Sequence, residues 1–182
     1  MAAFAYPAIH DFPPFYTQQP NVDTWRKQRQ LWCDLVLSYY RANKLTVLDV
    51  NEALTSGKSG LFVNATIKRS LPRETVHAVI EELVRMGNAE WEGPSNQRAI
   101  IYWRRLEEWA SMIWQWAFNT GQTNSICTLY EIAHGDATTT QEFHALDEFV
   151  VRKALLVLVK QGKAQMFSGT SDSDLGVKFF LT

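Results

Sequence analysis

The sequence predicts an α+β chain, predominantly helical, in which one helix–helix–helix–hairpin unit occurs twice behind an extended arm of prolines and aromatics. Three observations predict it. An apolar helical pattern beginning at Val76 returns at Val151, a glycine closes both copies, and four of the six prolines lie in the first twenty residues.

The arm comes first. Pro7, Pro13, Pro14 and Pro20 are interleaved with Phe4, Tyr6, Phe12, Phe15 and Tyr16. Proline fixes φ and disfavours helix at the residue before it, so this segment reads as extended. It builds no core alone and must lie on something, either a partner or its own domain. The boundaries expected are residues 1–21 for the arm, 22–104 for the first domain and 105–182 for the second.

In the first domain Trp25, Trp32, Leu35, Val36 and Tyr39 form one helical stripe. Thr46-Val47-Leu48-Asp49 offers a weak start for a short middle helix. A third helix follows, with Val76, Val79, Ile80, Leu83 and Val84 at i, i+3, i+4 spacing, closed by Gly87, where a helix C-cap favours a left-handed residue. Glu90-Trp91, a turn around Gly93 to Asn96, and Ala99 to Trp103 then read as a β-hairpin.

The second domain repeats the order. Trp109, Met112, Ile113 and Trp116 share a face of the helix at residues 107–119. Thr128-Leu129-Tyr130-Glu131 reads as a capping box for the middle helix, Thr and Glu each satisfying a free amide. Val151, Ala154, Leu155, Leu158 and Val159 form the third helix, Gly162 closes it, and Gln165 to Phe167 with Val177 to Leu181 form the hairpin around a Ser, Gly and Asp loop. Leu71 and Leu146 keep the same offset before each third helix. Three helices and a hairpin in this order are the winged helix, a helix-turn-helix core with a β-wing.

Composition narrows the function. Hydrophobic residues at 46% and charged residues at 20% suit a folded chain rather than a disordered one. No apolar run approaches the ~20 residues that span a bilayer. The opening residues lack the basic-then-apolar order of a secretory signal, and Ala2 stands where N-myristoylation demands glycine. The two cysteines, Cys33 and Cys127, sit inside apolar patterns and read as reduced, buried thiols. Asn64-Ala65-Thr66 spells a glycosylation acceptor, which without that signal has no enzyme to meet.

Winged helices commonly lay the third helix in the DNA major groove, where cations meet phosphates. Here the formal net charge is −1. Over residues 72–88, Arg73 and Arg85 are outnumbered by Glu74, Glu81 and Glu82; over 147–163, Arg152, Lys153, Lys160 and Lys163 face Asp147 and Glu148. The first helix repels a phosphate backbone and the second attracts it only mildly, so no nucleic-acid partner is expected. The four histidines show no zinc-ligand spacing, the pairs Glu81-Glu82 and Glu107-Glu108 diverge around their helices, and no phosphate loop or nucleophile elbow is present. The reading is a non-enzymatic chain with no cofactor or metal site.

Two surfaces remain. Trp114 and Phe118 lie nearly opposite the core stripe of their helix and touch at i, i+4; they pack against the first domain or form a second interface. Pro13-Pro14-Phe15-Tyr16 is a stiff strip presenting two large rings, each worth about 1.5–3 kcal/mol when buried. It also fits the Pro-Pro-x-Tyr pattern that WW domains bind.

At this point the sequence resembles the family of the small subunit of the ESCRT-II endosomal sorting complex, twenty-fifth in the vacuolar-protein-sorting series. Matching segments are Pro13 to Thr17, Gln19 to Asn21, Leu83 with Gly87-Asn88, Glu90-Trp91, Trp103 to Arg105, Glu107 to Trp109, Thr128 to Glu131, Glu142 to His144, Leu146 to Glu148 and Gly176 to Phe180. They run over residues 12–180. Tyr16 stands where phenylalanine is common, Leu106 where proline is common and Ala145 where glycine is common.

The resemblance implies two tandem winged helices, two copies per Y-shaped heterotetramer, and a structural adaptor role in sorting ubiquitinated cargo to multivesicular bodies. It implies that Pro13, Pro14, Phe15 and Tyr16 insert into a pocket of each larger subunit, one of which carries a GLUE domain. The second winged helix is then expected to engage the nucleating ESCRT-III subunit, with Trp114 and Phe118 as candidate contacts. The location implied is cytoplasmic, recruited peripherally to endosomes, with membrane met only indirectly. A DNA-binding regulator and a WW-domain ligand are the alternative functions. The arm reading predicts that Phe15→Asp leaves the chain folded and abolishes partner binding.

Overall fold

Asn21 begins the folded body: its side-chain carbonyl accepts from the amides of Asp23 and Thr24, both at 3.0 Å, and starts helix α1, Val22–Asn43. The structure, a computed structural model, describes residues 4–55, 59–168 and 175–181. The chain divides into units Met1–Trp103 and Arg104–Thr182.

After α1 the first unit continues with β1 (Val47–Asp49), α2 (Val50–Thr55), a two-stranded ribbon β2–β3 (Val63–Asn64, Arg69–Ser70), α3 (Arg73–Arg85), β4 (Ala89–Glu92) and β5 (Arg98–Ile101). The second unit follows with α4 (Leu106–Asn119), β6 (Ile126–Thr128), α5 (Leu129–His134), α6 (Glu148–Lys160), β7 (Ala164–Phe167) and β8 (Gly176–Phe179). Both units are winged helices, as the duplicated pattern predicts. Each wing strand pair gains a third, antiparallel strand from just before the middle helix, giving the orders β1-β5-β4 and β6-β8-β7. The loop of Ser, Gly and Asp between β7 and β8 falls largely on residues 169–174, outside the described residues.

Each core grows from the helical stripes. Trp32, Val36, Val76, Val79, Ile80 and Leu83 are buried in the first unit, and Trp109, Ile113, Val151, Ala154, Leu155 and Leu158 in the second. Cys33 and Cys127 are free and buried; burial pushes the Cys33 thiol up to about 12. Gly87 (φ +78) and Gly162 (φ +72) close α3 and α6 in the left-handed conformation. In both, the residue after the glycine donates back into the helix, Asn88 to Leu83 at 2.8 Å and Lys163 to Leu158 at 2.9 Å, the bond pattern of a Schellman cap.

Local start signals fared unequally. The Thr128–Glu131 capping box is present, the Glu131 amide donating to Thr128 Oγ1 at 3.1 Å and the Thr128 amide to Glu131 Oε2 at 2.7 Å. Thr46 does not cap α2. Residues 47–49 are strand, and Asp49 holds the start by accepting from the Glu52 amide at 3.0 Å. Strand pairing of Val47 with Ile100 displaces the cap by three positions.

The arm departs from a uniformly extended strip. Pro7, Phe12 and Thr17 are extended, but Ala8–Asp11 and Pro13–Tyr16 each form a single 3-10 turn. Proline's fixed φ suits the first residues of such a turn as well as an extended chain.

Candidate functional site

Phe15 and Tyr16 turn inward. The Phe15 ring stacks on Trp32 of α1 with centroids 4.2 Å apart and planes 2° from parallel, and Tyr16 meets the same indole edge-on at 5.4 Å. Both rings are buried, at 3% and 2% exposure. The Tyr16 hydroxyl donates to the His10 carbonyl at 3.0 Å, so the polar atom introduced by tyrosine has its partner inside the arm itself. Burial pushes the Tyr16 phenol up to about 12.

Two amides fasten the backbone of the arm. Gln28, buried on α1, donates to the carbonyls of Phe15 at 2.7 Å and Thr17 at 2.9 Å and accepts from the Gln19 amide at 3.2 Å. Trp32 Nε1 adds a donor to the Phe15 carbonyl at 3.1 Å. Asn64, at the end of β2, donates to the His10 carbonyl at 3.0 Å and to Asp11 Oδ1 at 2.9 Å. The His10 ring lies between them: its Nε2–H donates to the Leu61 carbonyl at 3.2 Å, leaving Nδ1 to accept from Asn64 at 3.2 Å. Tyr6 stacks on that ring at 4.2 Å, and its hydroxyl donates to the Ser59 carbonyl. Asn64, the apparent glycosylation acceptor, is therefore a buried clasp of the arm. Gln28, His10 and Asn64 escaped the sequence reading, although Gln28 sits in phase with Trp25 and Trp32 on the apolar stripe, where a polar residue signals a buried hydrogen-bonding duty.

What the arm shows outward is Phe12, 55% exposed, with the rings of Pro13 and Pro14 and the exposed Leu31 of α1. Ile9, Phe12, Pro14, Phe15 and Leu31, with Lys27 and Gln28, line a mostly apolar groove of about 310 Å³. The motif thus separates into two rings that build the support and two prolines that face solvent. Phe15→Asp would strip the Trp32 stack and bury a carboxylate, so the expectation of a folded variant is corrected: that substitution damages the domain. A WW domain would have to extract Tyr16 from the core to read it.

On α4, Trp114 and Phe118 stack with centroids 5.5 Å apart. Trp114 is half-buried within its own unit, its Nε1 donating to the Phe180 carbonyl at 3.2 Å and its ring lying 5.0 Å beneath the Lys163 ammonium. Phe118 remains 48% exposed. The site residues thus fall on two units, the arm on one and this pair on the other. Among the described residues no cluster suited to a metal ion occurs, and no helix is long and apolar enough to cross a membrane.

A family model described as ESCRT-II complex subunit matches residues 9–147, which include the arm motif, its clasps and α4. The chain belongs to the ESCRT-II complex subunit family. Within that family it is 47% identical over 178 residues to vacuolar protein-sorting-associated protein 25 of Danio rerio, covering 98% of this chain and 99% of that one. Its structure resembles the crystal structure of subunit VPS25 of the endosomal trafficking complex ESCRT-II, with a TM-score of 0.83 at 29% identity over 98% of this chain and 99% of the other. It also resembles a chain in the crystal structure of the endosomal complex ESCRT-II (VPS22/VPS25/VPS36), with a TM-score of 0.80 at 30% identity over 95% and 98%. Against this family, Leu106 opens α4 at the first helical position, where proline is also well suited, and Ala145 holds a left-handed φ of +61°, which glycine adopts freely.

Proposed function

We propose that this chain is the adaptor subunit of an ESCRT-II complex in endosomal sorting, joined to the larger subunits through the outward face of its arm. Phe12, Pro13, Pro14 and Leu31 form the contact, and Phe15 and Tyr16 hold it in shape from below. The single observation that carries this reading is the exposed apolar groove built on a rigidly clasped motif. A groove whose backbone is already ordered loses little entropy on binding, so burying its apolar surface turns into affinity. A partner presenting an apolar knob of its own would fill it.

The second unit then serves as the platform toward ESCRT-III, with Phe118 exposed and Trp114 fixed beneath it. Two such chains on one scaffold would raise the effective concentration of that platform and help nucleate assembly at the endosome, to which the complex is recruited peripherally. The wider reading has no catalytic step. DNA binding is disfavoured by Glu74 and Glu81, exposed on α3 where a recognition helix needs cations.

Phe12→Asp with Leu31→Asp tests the arm. Both residues are exposed, so thermal melting of the isolated chain should stay within about 2 °C of the parent, while co-purification with the larger subunits is lost. Intact assembly of the folded variant overturns the reading.

A further inference from the structure

The middle helix starts differently in the two units. In the second, Thr128 and Glu131 close a capping box, the Thr128 hydroxyl meeting Glu131 Oε2 at 3.0 Å. The first carries Asp49 and Glu52 at the matching places, and Asp49 accepts from the Glu52 amide at 3.0 Å. A threonine fills the same role in the twin, so the fold does not require a second carboxylate here. Two like charges at one helix start repel each other, and a nearby cation relieves them.

Both carboxylates line a cavity of about 300 Å³ at the C-terminal end of α1, together with the rings of Tyr39 and Tyr40. Tyr40 is buried, and its hydroxyl donates to the Val47 carbonyl at 3.3 Å. Tyr39 is half-buried and braced by the first residues of the arm: Phe4 meets its ring edge-on at 5.2 Å and Tyr6 stacks on it at 6.2 Å. Buried Leu61 and the exposed Leu45 and Val47 add apolar lining. Among the described residues, none of those lining the cavity is a lysine or arginine. Burial first, then the neighbouring Tyr39 and the Glu52 carboxylate, hold the Tyr40 phenol above its ordinary range, so the charge of Glu52 is felt at the rings.

Fixed rings beside two carboxylates suit an organic cation. A quaternary ammonium would use the rings but give the carboxylates no donor. Lysine is a compact, strongly hydrated charge; the guanidinium of arginine is planar, weakly hydrated, stacks on aromatic faces and forks its donors to carboxylates. We propose that this cavity receives an arginine side chain projected by a partner protein. Its guanidinium lies against Tyr39 and Tyr40 and donates to Asp49 and Glu52, while its methylene stem runs along Leu45 and Val47. Tyr39 lies about 17 Å along α1 from Gln28, which fastens the Pro13–Tyr16 turn, at 1.5 Å per residue. The site therefore stands whether or not the arm docks as proposed above.

The test is an NMR titration of the full chain, followed at the ring signals of Tyr39 and Tyr40. The probes are short end-blocked Gly-Ser peptides with one central arginine, lysine or citrulline, the last an uncharged isostere of arginine. The arginine peptide should shift both signals saturably and bind at least about tenfold more tightly than the citrulline peptide, a gap that narrows with salt. Asp49→Asn with Glu52→Gln keeps the helix cap and the side-chain shapes. Its melting curve should be unchanged while the preference for arginine disappears. Tyr39→Leu keeps an apolar side chain but removes the ring face, and should weaken the arginine peptide about two- to fivefold. Equal binding of the arginine and citrulline peptides overturns the proposal, as does a preference that survives loss of both carboxylates. A lysine peptide as tight as the arginine peptide overturns the choice of arginine. Free arginine as tight as the peptide overturns a partner protein as its source.

Discussion

The hydroxyl of Tyr16 and the amide of Gln28 do the same work: each ties a backbone carbonyl or amide that the turns leave unpaired. Tyr16 reaches the His10 carbonyl at 3.0 Å, and Gln28 serves Phe15, Thr17 and Gln19. Replacing Tyr16 by phenylalanine keeps the stack around Trp32 and removes one hydrogen bond, so the expected loss is about 1 kcal/mol in chemical denaturation, with assembly intact. Alkaline pH gives a second readout. Because the folded phenol is pushed up to about 12 from its ordinary 10, the unfolded chain releases its proton first. The contribution of Tyr16 is then fully present below pH 10 and falls as pH climbs from 10 to about 12. Tyr16→Phe should show a shallower decline in that window, reduced but not abolished, since burial also raises the Tyr6 phenol. An unchanged slope would show that the ring is not held as described. Little of this was legible beforehand: the sequence marks Phe15 and Tyr16 as large rings seeking burial, but the arm that carries them is held by Asn64, nearly fifty residues further along the chain, and by a glutamine whose role only packing reveals.

Elements declare themselves where their signals are local. The capping box at Thr128 and the glycine ends of α3 and α6 depend on neighbours within five residues, and each reads correctly from the letters. β1 and β6 do not: both are three-residue strands, too short for an alternating pattern, and exist because a wing strand passes beside them. The loop between α5 and α6 shows a local rule under strain. Ala145 is held at φ +61° while its amide donates to the Ala133 carbonyl at 2.8 Å, so the turn cannot relax without breaking that bond. An L-residue there costs roughly 1–2 kcal/mol, and glycine recovers most of it less its extra unfolded-state entropy. Ala145→Gly should therefore stabilise the chain by about 0.5–1 kcal/mol, whereas Gly162→Ala, at φ +72° with open space around its β-carbon, should destabilise it by about 1 kcal/mol through backbone strain alone. Opposite signs in equilibrium unfolding are the result to look for; like signs would mean that side-chain packing, not φ, governs these turns.

At the scale of the molecule, duplication explains how one plan supports two different surfaces. The buried residues of the first unit include Trp32, Phe62, Ile80 and Leu83, those of the second Trp109, Ile113, Phe143 and Phe179. A core that is complete by itself places few demands on its surface, which is why α3 can carry glutamates where α6 carries phenylalanine and leucine, and why only the first unit bears an arm. Self-sufficiency makes a prediction. A chain ending at Trp103 and a chain comprising Arg104–Thr182 should each give a cooperative thermal transition by circular dichroism, because each carries a buried apolar set of its own. The shorter N-terminal chain should still co-purify with the larger ESCRT-II subunits, since the arm, its clasps and the groove all lie within it, while the C-terminal chain should not. Loss of assembly by a well-folded N-terminal chain would mean that the groove is only part of the contact and that the second unit takes part in holding the complex.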